Sequence, residues 1–87
     1  MYLHIGQETV IPMREILGIF DMDNTTISKT TRQFLNEAQR AGRVLTVGDD
    51  LPKSFVICQK GKEPPTVYLS QLSCTTLLKR AEAFRSI

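Results

Sequence analysis

Residues 28–57 constrain the fold more than any other stretch, because a capped amphipathic segment there runs straight into two apolar ones. The side-chain oxygen of Ser28 is suited to accept from an orphan amide of the following turn, which marks it as a helix N-cap. Thr31, Phe34, Leu35, Ala38 and Ala41 recur at three- and four-residue steps and form one apolar stripe. Arg32, Gln33, Asn36, Glu37 and Arg40 occupy the rest of the circumference. Gly42 falls where a helix ends in a left-handed residue, a conformation that glycine adopts without steric cost. Residues 43–47 and 54–58 follow, both rich in β-branched or aromatic side chains, and read as strands. A helix with a single apolar stripe needs a sheet to lie on, and these two runs supply part of it.

The 87 residues make one domain, residues 1–87, with enough chain for a single small core. At 41% hydrophobic and 23% charged residues, the composition is that of a folded protein and excludes a disordered one. A net charge of +2 permits a nucleic-acid partner without requiring it, so any such surface has to come from local clustering. Cys58 lies in an apolar strand and Cys74 at the start of a helical stretch; without metal-ligand spacing, both read as reduced structural thiols. The start of the chain lacks a basic region followed by a long apolar run, and no stretch nears the ~20 apolar residues of a membrane span. A cytoplasmic protein with no cofactor, no metal and no membrane partner is the expectation.

In chain order, Leu3 and Ile5 alternate with Tyr2 and His4 in a half-buried strand, and residues 6–8 turn the chain. Residues 9–11 return as a second strand ended by Pro12, which has no amide to donate. His4, the only histidine, falls on the solvent-facing alternation. Residues 16–20 form a nearly continuous apolar run, read as a central strand in which Gly18 lets the helix approach closely. Residues 21–26 are turn-prone, 48–53 and 59–65 are loops, and 66–70 read as the strand that closes the sheet. Ser73 is a second N-cap, with Leu77, Leu78, Ala81 and Phe84 on one helical face and Lys79, Arg80 and Arg85 toward the dipole's negative end. The order is β-β-β-α-β-β-β-α, an α+β fold with a small, mostly antiparallel sheet backed by two helices.

Residues 17–25, ending in Asp21-Met22-Asp23-Asn24-Thr25, resemble the first motif of haloacid-dehalogenase-like phosphatases. In that family the first aspartate is the nucleophile and the second a general acid–base, with Mg²⁺ between them; Asp21 and Asp23 would take those roles. Residues 48–50 mimic the family's acidic metal motif. The chain is too short for the doubly wound core and later motifs such an enzyme needs, and short acidic motifs are common at strand-to-turn junctions. The expectation is a protein that is not an enzyme.

A second resemblance covers the whole chain. Residues 1–6, then Ile19, Phe20 and Asp21 with Thr25 and Thr26, then Ser28 and Lys29, Phe34 and Leu35, and Gly42, Arg43 and Val44 carry it, with residues 51–55 and 73–80 completing it. Together these resemble the extracellular matrix regulatory protein family of RemA and RemB, nearest the RemB members. The resemblance implies a DNA-associated transcriptional regulator of biofilm matrix genes that acts as a homo-oligomer, in the form of a ring, with double-stranded DNA as partner. A basic surface repeated around a ring neutralises many phosphates although each subunit carries little charge. RemA-like members have an arginine-rich loop before the fifth strand that is tied to DNA contact. Here residues 48–53 keep one cation, Lys53, and carry Asp49 and Asp50, which repel phosphate. Lys53, Lys29, Arg32 and Arg14 are the candidate phosphate contacts. The alternative is an assembly subunit that modulates a regulator without touching DNA.

Overall fold

The computed structural model describes residues 1–22 and 28–85, with side chains to residue 82. Asp23, Thr25 and Thr26, and the side chains of Phe84 and Arg85, therefore lie outside the described residues. Strands β1 (Tyr2–Gly6) and β2 (Thr9–Pro12) are followed by a 3-10 turn, Met13–Glu15, and by β3 (Ile16–Asp21). Helix α1 (Lys29–Arg40), strands β4 (Val44–Thr46), β5 (Ser54–Cys58) and β6 (Thr66–Ser70), and helix α2 (Cys74–Arg85) complete the chain. The α+β class and the order of elements are those read from the sequence.

The strands divide between two sheets. β1 and β2 form an antiparallel hairpin turned at Gly6 and Gln7, both at positive φ. The other four stand in the order β3-β5-β6-β4, antiparallel except for the β4–β6 pair. The expectation for residues 16–20 is corrected here: β3 is an edge, and β6 is an inner strand. Hydrophobicity alone could not separate these cases, because Ile16 and Ile19 pack against one core and Phe20 against the other although β3 lies at the edge of the sheet.

The centre is β5, every residue of which is buried. Its alternate side chains serve two cores. Phe55 and Ile57 join Val67 and Ala38, with Phe34, Leu35, Val44 and Leu69 packed against them, so this core lies under α1. Val56 and Cys58 join Leu3, Ile5, Ile11 and Leu77, so the opposite core is built from the hairpin and α2. The result is three layers: α1, the four-stranded sheet, then the hairpin with α2. A fully buried aliphatic or aromatic side chain contributes about 1.5–3 kcal/mol, so β5 is the strand least tolerant of truncation.

The helix ends follow local rules. Thr31 N–H donates to Ser28 Oγ at 3.2 Å and Thr76 N–H to Ser73 Oγ at 3.1 Å, so both serines are N-caps. Gly42, at φ 72, lies just past α1. The space above Gly18 is not taken by α1. A β-carbon there would meet the Phe20 ring at 2.6 Å, and that ring stacks on Phe55 with centroids 5.0 Å apart. A bulge between Ile16 and Gly18 turns Leu17 outward. Leu78 also departs from the expected apolar face: it is 45% exposed, whereas Leu77 is fully buried.

Candidate nucleic-acid interface

The strand register sorts the candidate cations between two ends of the sheet. Ser54 pairs with both Asp21 and Ser70, so the ends of β3 and β6 and the start of β5 meet at one end. Lys53 stands there, its backbone N–H donating to Ser70 O at 2.8 Å and its carbonyl accepting from Met22 N–H at 3.0 Å. These bonds fix the backbone of Lys53 while its side chain is exposed.

At the opposite end Ile16 pairs with Cys58, and Cys58 with Thr66. Helix α1 leads into β4 there, because Val67 N–H donates to Arg43 O at 2.9 Å and Arg43 N–H to Ala38 O at 2.7 Å. With its C-terminus at that end, the 12-residue α1, about 18 Å long at ~1.5 Å per residue, starts near the Lys53 end. Lys29 and Arg32, both exposed in its first turn, therefore share an end with Lys53. The unpaired amides and positive dipole of that turn favour an anion.

Arg14 is separated from them. It is exposed in the 3-10 turn before β3, and Gln59 N–H donates to the neighbouring Glu15 O at 2.8 Å. The six residues of β3, at ~3.3 Å each, lie between Arg14 and the Lys53 end. Around Arg14 the topology gathers Arg40 and Arg43 from the end of α1 and Lys60 and Lys62 from the loop before β6. Those four cations were not singled out as phosphate contacts in the sequence, because they are spread over 23 positions and only the strand register brings them to one end.

Acidic groups shape the Lys53 end. Asp21 ends β3, and Asp49 and Asp50 lie exposed in the loop between β4 and β5. Burial and the nearby Asp21 carboxylate raise the Cys74 thiol above its ordinary range. Burial, with a smaller contribution from Glu15, pushes Cys58 up to about 12. Both cysteines are free and protonated at neutral pH, which disfavours them as nucleophiles or metal ligands. His4 is exposed as expected and ties the hairpin to α2: Nε2–H donates to Gln7 O, while Arg80 donates from Nη1 to His4 O at 2.9 Å. Among the described residues, no group of three or more His, Cys, Asp or Glu could hold a metal, and no helix is long and apolar enough to cross a membrane.

The RemA-like family, described as extracellular matrix regulatory protein A-like, matches residues 2–81. Over 82 residues the chain is 34% identical to extracellular matrix regulatory protein B of Bacillus subtilis (strain 168), covering 94% of this chain and 91% of that relative. The chain belongs to the RemA-like family.

Proposed function

We propose that this member of the RemA-like family is a DNA-associated transcriptional regulator of biofilm matrix genes that acts as a homo-oligomer. The observation that supports the DNA reading is that Lys53 and the first turn of α1, with Lys29 and Arg32, lie at the same end of the sheet. Three cations and a helix N-terminus suit backbone phosphates. Phosphate contacts of this kind carry no sequence information, so the binding is weak and largely independent of sequence. Asp21, Asp49 and Asp50 lower the affinity further. Arg14, at the other end of β3, is outside this group.

Self-association is supported by the uncovered apolar surface. Among the described residues both edges of the four-stranded sheet are unpaired, Leu17 on β3 is 54% exposed, and Leu45 on β4 is 47% exposed. Open strand edges with apolar side chains favour a second chain. One observation favours an assembly subunit that does not touch DNA: the two aspartates in the loop before β5.

Fluorescence anisotropy with labelled duplex DNA, titrated at low and physiological salt, tests the reading. Phosphate contacts predict binding at low salt that weakens steeply as salt rises. No binding at low salt would overturn the DNA reading and leave the assembly subunit.

A further inference from the structure

The loop between β4 and β5 closes over a polar group that has no partner. Among the described residues, Gln71 Nε2 is the one buried side-chain nitrogen or oxygen without a hydrogen bond. Its carboxamide fills the place that a β-carbon would take on Gly48, which stands at φ 98. Backbone anchors lie on either side of this contact. Val47 N–H donates to Leu69 O at 2.8 Å and Lys53 N–H to Ser70 O at 2.8 Å, so the loop leaves and rejoins the end of β6 beside Gln71. Leu72 is held in turn, its carbonyl accepting from Ser54 Oγ at 2.7 Å and its N–H donating to Ser70 Oγ at 3.1 Å. Between the loop's anchors, no backbone hydrogen bond among the described residues ties residues 48–52. Asp49, Asp50 and Leu51 are exposed, Leu51 by 86%.

We propose that residues 48–52 form a flap hinged at Gly48, whose opening presents Gln71 Nε2 as a hydrogen-bond donor to a DNA backbone phosphate beside Lys53. The inference rests on the DNA reading and adds a neutral contact to its three cations.

An amide donor shut away from water without an acceptor penalises the state that buries it. Here that state is the closed loop. Opening gives up few contacts, because Asp49, Asp50 and Leu51 are already on the surface, and it frees Nε2 to meet an acceptor. Gly48 is suited to be the hinge, since glycine moves between positive and negative φ without steric cost. Val47 and Lys53 stay anchored to β6, so the flap swings without displacing Lys53. The surroundings select an anion as the acceptor. Lys53 is bonded to Ser70, the residue before Gln71, and Lys29 and Arg32 share that end of the sheet. Side-chain amides are among the groups that contact backbone phosphates. Asp49 and Asp50 ride on the flap, so the movement that bares Nε2 also shifts the two charges that oppose phosphate.

Duplex-DNA anisotropy over a salt series, with urea midpoints measured in parallel, tests this on the full-length chain, Gln71→Met and Gly48→Ala. Methionine fills the same space without a donor. Gln71→Met is expected to have a higher urea midpoint and to bind DNA about tenfold more weakly at every salt concentration. Its salt dependence should match the parent's, because a neutral donor releases no counterion. In Gly48→Ala the new β-carbon displaces the carboxamide and strains the closed loop, so this variant, shown to be folded by circular dichroism, should bind more tightly than the parent. If Gln71→Met binds as the parent does, the phosphate contact is overturned and the amide is only structural. A lower urea midpoint in Gln71→Met, or weaker binding by folded Gly48→Ala, would overturn the flap while the DNA reading stands. If the parent itself binds no DNA at low salt, the DNA reading falls and the flap with it.

Discussion

Ser70 Oγ donates to the Ile5 carbonyl at 2.6 Å, a bond between two fully buried residues that lie 65 positions apart. It joins the inner strand β6 to the hairpin, and the same oxygen accepts from Leu72 N–H at 3.1 Å. One hydroxyl thus satisfies polar groups from two layers of the fold.

Ser70→Ala leaves the buried Ile5 carbonyl and the half-buried Leu72 amide without that partner. The expected loss is about 1–3 kcal/mol of stability, read as a lower urea midpoint with an unchanged slope. An unaltered midpoint would mean that the hairpin docks by apolar contact alone.

The helix caps give a smaller and more local effect. Ser28→Ala and Ser73→Ala each remove an oxygen that accepts from a first-turn amide. Each is expected to cost about 1 kcal/mol, measured by thermal unfolding. Ser28→Gly is expected to cost only a few tenths, because a glycine cap leaves its amides open to water.

Alkaline pH is expected to destabilise the fold through Cys58. Burial holds its folded pKa at about 12 against an ordinary value of 9.0. Between those values the unfolded chain has lost the thiol proton that the folded chain keeps, so stability falls as pH rises. It is fully present below about pH 9 and declines up to about pH 12. Tyr68, also raised by burial, adds to the same slope. Urea midpoints from pH 8 to 11 should fall less steeply in Cys58→Ala than in the parent. A parallel decline in the two proteins would locate the alkaline sensitivity elsewhere.

Three variants address the phosphate surface. Lys53→Glu should weaken DNA binding more than Lys79→Glu, because Lys79 is on α2, behind the opposite face of the sheet. It should also reduce the salt dependence by about one phosphate contact. Asp49→Arg with Asp50→Arg removes two repulsive charges and adds two cations, so it should bind tighter at low salt. Gel-shift titrations at two salt concentrations measure all three, and equal behaviour would show that this loop does not meet DNA.

The local elements were legible in the sequence because local chemistry decides them. Ser28 and Ser73 cap their helices, Gly42 ends α1, and Pro12 ends β2. Strand order was not legible, since Ile16–Asp21 reads the same whether β3 is central or at an edge. The separate hairpin sheet and the parallel β4–β6 pair likewise depend on pairing between distant residues. The candidate site shows the same division. Lys53, Lys29 and Arg32 were identifiable as cations near a loop and a helix start, but the register of β3 against β5 was needed to set Arg14 apart.

The position of β4 bears on how the chain acquires its structure during synthesis. This strand is made halfway along the chain, yet among the described residues its partner in the sheet is β6, which begins 20 residues after β4 ends. Until Thr66–Ser70 has emerged from the ribosome, α1 and β4 have only part of the surface on which they pack. The hairpin is the one sheet that forms from neighbouring sequence alone, and its anchoring hydroxyl on Ser70 also arrives late. A chain stalled before residue 66 therefore exposes β4 without its mate and one open edge of the buried strand β5, and is a target for chaperones or proteases.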